Sequence, residues 1–148
     1  MGPYFSHLPT SGTSVADAFS DLGLIEFMPP MTMGTHLIFQ VLSDGLPVGY
    51  ARLERDSATS SPHYAGIDHL LSSPPIKDYI LRTIQIHQQF RRRGIGSRLL
   101  QEVAGYCREH QVQRISCSLE GNALLLRRWY LRNGFTCRDE SELELLLR

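Results

Sequence analysis

The sequence predicts a mixed α/β domain in which an antiparallel hairpin joins a parallel strand–helix–strand unit in one sheet. Three observations carry this. Two strand-like runs, 36–42 and 48–55, flank the turn sequence Ser43-Asp44-Gly45-Leu46-Pro47, which reads as a hairpin. An apolar run at 79–86, a helix-period run from Ile95 and an alternating run at 114–120 follow in order, and such a crossover requires a parallel pair. The length of 148 residues, with 42% hydrophobic and 20% charged content, suits one hydrophobic core and is too apolar for a disordered chain. A single domain over residues 1–148 is expected.

Taken in order, the first 33 residues carry the weakest pattern. Ser14 to Leu22 reads as a short helix, with Ser14 as N-cap, Asp17 three residues on and Gly23 as a stop; Pro29 and Pro30 then break any regular element. After the hairpin, residues 56–75 are rich in Ser, Pro and His and read as a long connection with a helical turn near 67–71. Tyr79 to Ile86 has apolar residues on both faces, which marks a strand inside the sheet. Ile95, Leu99, Val103 and Cys107 recur every four residues, joined by Leu100 and Ala104, so an amphipathic helix runs to about His110. Arg114 to Glu120 alternates Ile115, Cys117 and Leu119 against polar residues as a strand does. Ala123 to Arg132 is helical and ends at Asn133-Gly134; Phe135–Arg138 and Glu142–Leu147 close the chain as strands.

Charge and cysteine content exclude several functions. Lys plus Arg and Asp plus Glu are both 15, a net charge of zero that argues against a dedicated nucleic-acid binder. No run approaches the roughly 20 apolar residues of a membrane helix, and residues 1–13 lack a secretory pattern. Cys107, Cys117 and Cys137 form neither a disulfide framework nor a metal knuckle, and read as three buried thiols in a reducing cytosol. His36, His63, His69 and His110 show no ligand spacing, so no metal is expected.

The segment from Ile84 to Leu100 holds most of the chemical information. A buried strand ends, a loop with Gly94 and Gly96 follows, and a helix starts at once. The first turn of a helix leaves N–H groups unpaired, and its dipole favours an anion. Glycines remove the Cβ atoms that would hold a phosphate away, and Arg91, Arg92 and Arg93 add charge-assisted donors. The pattern is a phosphate or pyrophosphate cradle. It lacks the lysine of a Walker loop and the third glycine of the dinucleotide fingerprint, where this chain has Leu99.

Arg91-Arg92-Arg93-Gly94-Ile95-Gly96 resembles the acyl-CoA loop of the GNAT (Gcn5-related) N-acetyltransferases, Gln/Arg-x-x-Gly-x-Gly/Ala. A second block, Glu120-Gly121-Asn122-Ala123 followed by Trp129-Tyr130-Leu131-Arg132-Asn133-Gly134-Phe135, is similar to the family's Asn and Tyr-x-x-x-Gly-Phe signature. The resemblance implies a fold whose two central parallel strands splay apart, here 79–86 and 114–120, around acetyl-CoA, with CoA as product. It implies that backbone groups near Ile84 and Ile86 pair with the pantetheine arm, and that an N–H near Ile86 polarises the thioester carbonyl. The cradle would comprise Arg91, Arg92, Arg93, Gly94, Ile95, Gly96 and Ser97.

Under the same resemblance Tyr130 is the acid that protonates the departing thiolate, or else an aromatic packed beneath the cofactor. Asn122 would contact the pantetheine arm, although it stands eight residues before Tyr130 where the family has seven; an N-cap is its other role. The central strand offers Arg82, Thr83 and Gln85 where many relatives have a glutamate, which leaves His87 and Glu120 as candidate bases. Trp129 either packs or walls the acceptor site. The implied reaction transfers an acetyl group to a primary amine on a small molecule, peptide or protein; an acyl-CoA sensor without turnover is the alternative. Residues 1–33 are either rearranged relative to the family or part of a homodimer contact.

Overall fold

The computed structural model describes residues 22–56, 78–119 and 124–147. The hairpin forms strands β3 (His36–Ser43) and β4 (Leu46–Arg55), joined by Asp44-Gly45 alone. Both turn residues have positive φ, 49° and 83°, the two-residue type I′ turn whose twist matches the flanking strands. The turn is therefore tighter than the five residues expected, and β4 takes up Leu46 and Pro47. No strand is expected before residue 36, yet β1 (Ile25–Phe27) and β2 (Met31–Met33) both pair antiparallel with β3. Pro29 and Pro30 lie between them, where the pairing breaks.

Strand β5 (Asp78–Ile86) pairs antiparallel with β4, and helix α1 (Ile95–Glu109) carries the chain to β6 (Arg114–Ser118). Helix α2 (Leu124–Arg132), β7 (Thr136–Cys137) and β8 (Glu142–Leu146) follow. The sheet runs β1-β3-β4-β5-β6-β8-β7, with β2 beside β3. Among the described residues only β5 and β6 are parallel, as the crossover requires. The expected helix over 14–22, Leu22 aside, and the connection over 56–75, Asp56 aside, lie outside the described residues.

α1 buries Ile95, Leu99, Leu100, Val103, Ala104 and Cys107 against Phe39, Ala51 and Leu53 of the sheet. It ends with Gln111 in the left-handed region (φ 62°) and the Val112 N–H donating to the Cys107 carbonyl at 2.9 Å. α2 stops as its Asn-Gly pair predicts: Gly134 has φ 96° and the Phe135 N–H donates to the Tyr130 carbonyl at 3.1 Å. Of the three cysteines expected to be buried, Cys137 is exposed, because β7 is a two-residue edge strand with both residues outward. No helix among the described residues is long and apolar enough to cross a membrane.

Two irregularities shape the centre of the sheet. Arg82 is an extra residue on β5, since Arg52 pairs with Thr83 and Leu53 with Leu81; such a bulge bends and twists a strand. Just before it, after Ile80, β5 and β6 separate. Their pairing is limited to Asp78↔Arg114, Tyr79↔Ile115 and Ile80↔Ser116, so Leu81 to Ile86 have no partner on that edge. The closed end is fastened by Arg114 Nη2 to Asp78 Oδ2 at 2.9 Å, with Asp78 buried.

Candidate active site

The separation leaves a slot whose rim is backbone. The His87 N–H donates to the Val48 carbonyl at 2.7 Å, on the β4 side. Strand alternation then turns the backbone groups of Ile86 and Ile84 the other way, toward the slot. Arg91 confirms this, since its Nε donates to the Ile86 carbonyl at 2.8 Å. Ile84 and Ile86 also contribute to a cleft of about 500 Å³ lined further by Phe90, Arg91, Arg92, Gly94, Gly96, Ser97, Leu126, Trp129 and Arg132.

The mouth of this cleft is the strand-to-helix loop. His87 caps a 3₁₀ turn over Gln88–Phe90, which reverses the chain onto the start of α1. Gly94 is the N-cap of α1 at φ 84°, and no side chain caps the helix. The first intrahelical bond runs from the Arg98 N–H to the Gly94 carbonyl at 3.0 Å, so the N–H groups of Ile95, Gly96 and Ser97 precede it. The first turn has no acidic residue, and the cleft lining contains three arginines and no carboxylate. Positive dipole end and guanidiniums thus repel one another until an anion arrives. Arg92 adds backbone strain, with φ 62°. A Cβ built on Gly94 would enter open space at the mouth, and one on Gly96 would stand 3.4 Å from Trp129 Cζ2 and 3.6 Å from Ile86 Cγ1.

The expected cradle residues are therefore brought together, with two qualifications. The Ile95 side chain is buried in the core, so this residue offers only its N–H to the cleft. Arg93 is exposed and stands outside the cleft lining. Glu120 and Asn122 lie outside the described residues.

Tyr130 stands behind the cleft wall, buried between Trp129 and Phe135 with ring centroids 5.0 Å from each. Burial, and then Cys117 on β6, raise its phenol well above the usual value; its hydroxyl donates toward that sulfur. His87 has a local role, since its Nδ1 accepts the Gln89 N–H at 3.3 Å. An imidazole has one lone pair when neutral, so a base role would break that cap. Among the described residues no group of three His, Cys, Asp or Glu could hold a metal.

Phe90, Leu126, Trp129 and Arg132 complete the lining beyond the cradle and rim residues that the sequence points to. Leu126, Trp129 and Arg132 recur at three-residue spacing and so share one face of α2, a signal present in the sequence. Phe90 carried no signal, because its place depends on the 3₁₀ turn.

The acetyltransferase (GNAT) family profile matches residues 14–135. Among solved structures, a GNAT-family structure from Desulfovibrio desulfuricans superposes with TM-score 0.61 at 17% identity, covering 77% of this chain and 70% of that one. A Bacillus anthracis structure described as a streptothricin acetyltransferase, in complex with acetyl coenzyme A, has TM-score 0.60 at 14% identity over 80% of this chain and 66% of its own. The PaiA N-acetyltransferase of Thermoplasma acidophilum, in complex with coenzyme A, has TM-score 0.58 at 14% identity, covering 76% and 61%. At these identities the likeness is one of fold. No curated protein sequence matches the chain. With the profile covering most of the chain and the slot, loop and helix in the arrangement described, the chain belongs to the GNAT acetyltransferase family.

Proposed function

We propose that this protein is an N-acetyltransferase that uses acetyl-CoA and acetylates a primary amine, releasing CoA. The observation that carries the reading is the unpaired β5 edge opening onto an uncapped, arginine-lined helix start. A pyrophosphate fits that mouth: it takes the N–H groups of Ile95, Gly96 and Ser97 and relieves the repulsion among Arg91, Arg92 and Arg132. An extended amide-bearing arm fits the rim, where Ile84 and Ile86 offer strand-like donors and acceptors once Arg91 leaves the Ile86 carbonyl for the anion. Acetyl-CoA supplies an acyl thioester activated toward amines. The Ile86 N–H is the chain's donor for a carbonyl oxygen in the slot. Tyr130 keeps its proton at neutral pH, because burial favours the neutral phenol; its Oη, turned from Cys117 toward the cleft, would be the proton source for a thiolate.

The absence of a carboxylate from the described lining favours a second reading, an acyl-CoA sensor that does not turn over. Melting with acetyl-CoA, CoA and ATP, followed by CoA release with a panel of amines, separates the two. A ligand at about 100 times its Kd adds about 2.7 kcal/mol, a rise of roughly 5–10 °C for a chain of this size. A rise with CoA and acetyl-CoA but not ATP, together with amine-dependent CoA release, supports the transferase. A rise without release from any amine supports the sensor, and no rise with either refutes both.

A further inference from the structure

The cleft residue Ile86 is held in place by a glycine on the neighbouring strand. Gly49 pairs with Ile86 across β4 and β5, and Val41 of β3 pairs with Gly49. A Cβ on Gly49 would stand 2.6 Å from Ile86 Cδ1, 2.9 Å from Val41 Cγ1 and 2.8 Å from the Gln85 carbonyl oxygen. The Ile86 δ1 methyl therefore occupies the space that any other residue at 49 would fill. Its γ1–δ1 arm lies over β4 and beneath the first turn of α1, with Cγ1 3.6 Å from where a Gly96 Cβ would be. The δ1 end of the arm thus sits on the β4 side of β5, while the slot opens on the β6 side; Gly96, near Cγ1, lines the cleft. A β-branched side chain has few wells at χ1, and an arm expelled from this socket has the cleft, which Ile86 also lines, as open space beside it.

We propose that Gly49 is a positioning residue for acyl-CoA binding: its missing Cβ is the socket that keeps the Ile86 arm out of the cleft. Gly49 touches no ligand in this account and acts through Ile86. The proposal rests on the acetyltransferase reading, and it goes further by assigning the bore of the cleft to a residue outside its lining.

The test is a cycle of Gly49→Ala, Ile86→Val and the double variant, read by unliganded melting temperature, CoA Kd, and KM against kcat for acetyl-CoA. Ile86→Val deletes only the δ1 methyl. Alone it is expected to lower the melting temperature by about 2–4 °C, as lost packing does, and its own CoA Kd is the reference against which the double variant is read. Gly49→Ala is expected to raise CoA Kd and the KM for acetyl-CoA about tenfold or more, with kcat changed less. Adding Ile86→Val is expected to recover at least threefold of that loss, although contact with the Gln85 carbonyl keeps the melting temperature below wild type. A double variant that binds CoA no better than Gly49→Ala overturns the proposal. Where Gly49→Ala does not fold, the double variant decides: a double variant that folds again and binds CoA supports the socket, and one that still fails to fold overturns it. Wild-type protein that ignores CoA instead refutes the acetyltransferase reading, and this proposal with it.

Discussion

Arg92 offers a perturbation in which fold and binding should move in opposite directions. Its φ of 62° places a non-glycine residue in the left-handed region, which costs about 1–2 kcal/mol against the right-handed one. Glycine removes that strain but gives back about 0.5–1 kcal/mol in unfolded-state entropy. Arg92→Gly should therefore leave the unliganded melting temperature unchanged or raise it by about 2–4 °C. Alanine keeps the strain, so Arg92→Ala should melt below Arg92→Gly by about the same interval. For binding, both variants lose one guanidinium from a cleft whose lining holds Arg91, Arg92 and Arg132. A charge-assisted hydrogen bond contributes about 1.5–3 kcal/mol, and exposure of Arg92 argues for the low end, about tenfold in CoA Kd. Calorimetric titration of CoA into both variants, with unliganded scans beside it, is the assay. An Arg92→Gly protein that melts well below wild type, or that binds CoA unchanged, would falsify the reasoning: the first outcome denies the strain, the second the role in the cradle.

Other expectations follow from the same geometry. Gly96→Ala should fold at least as well as wild type, because its Cβ meets Trp129 and Ile86 at ordinary distances and alanine favours a helix by about 1 kcal/mol. Gly96→Glu should abolish the CoA-dependent melting shift, since its carboxylate enters the anion site; retention of the shift would move the phosphates elsewhere. Tyr130→Phe should lower kcat more than it raises the KM for acetyl-CoA, and unchanged turnover removes Tyr130 as the acid. Burial pushes the Cys107 and Cys117 thiols up to about 12, so between about pH 9 and that value the unfolded chain loses protons the folded chain keeps. Stability should thus fall as pH rises above about 9, by about 1.4 kcal/mol per pH unit for each thiol, and urea midpoints that stay flat from pH 9 to 10.5 would contradict it.

Legibility in the sequence tracked how many residues shared a pattern. α1 was readable because six buried residues repeat over four turns, and the hairpin because Asp-Gly has one favoured use between alternating runs. β1 and β2 were not, since three residues cannot show a period, and Met31, Thr32 and Met33 are all exposed. The cradle was legible as composition, being contiguous in sequence. The slot itself was not, except through the family resemblance: periodicity places Leu81–Ile86 on a strand without saying on which edge the pairing stops. The bulge at Arg82 and the early end of β6 are properties of register. Leu126, Trp129 and Arg132 were available as one face of α2, but Arg132 sits beside the Asn-Gly stop and reads as a last-turn cation.

The slot and the cradle are consequences of one connection. A right-handed crossover returns α1 over the sheet from the carboxyl end of β5, so the helix must begin where that strand ends. At that end the pairing with β6 has already been abandoned, six residues earlier, after Ile80↔Ser116. The fold thus places the positive end of a helix dipole directly beside a strand edge with unmet hydrogen-bonding capacity. Neither feature is favourable alone: an uncapped helix start lined with arginines is repulsive, and an unpaired edge inside a sheet forgoes ladder bonds. A ligand with an anionic head and an extended amide-bearing tail satisfies both at once, and a simple anion satisfies only the first. Pyrophosphate should therefore compete with CoA at the cradle yet bind far more weakly, and the difference should shrink in Ile84→Pro, which removes a rim N–H while leaving the arginines in place. Equal affinity for pyrophosphate and CoA in the wild type would mean that the edge is not used.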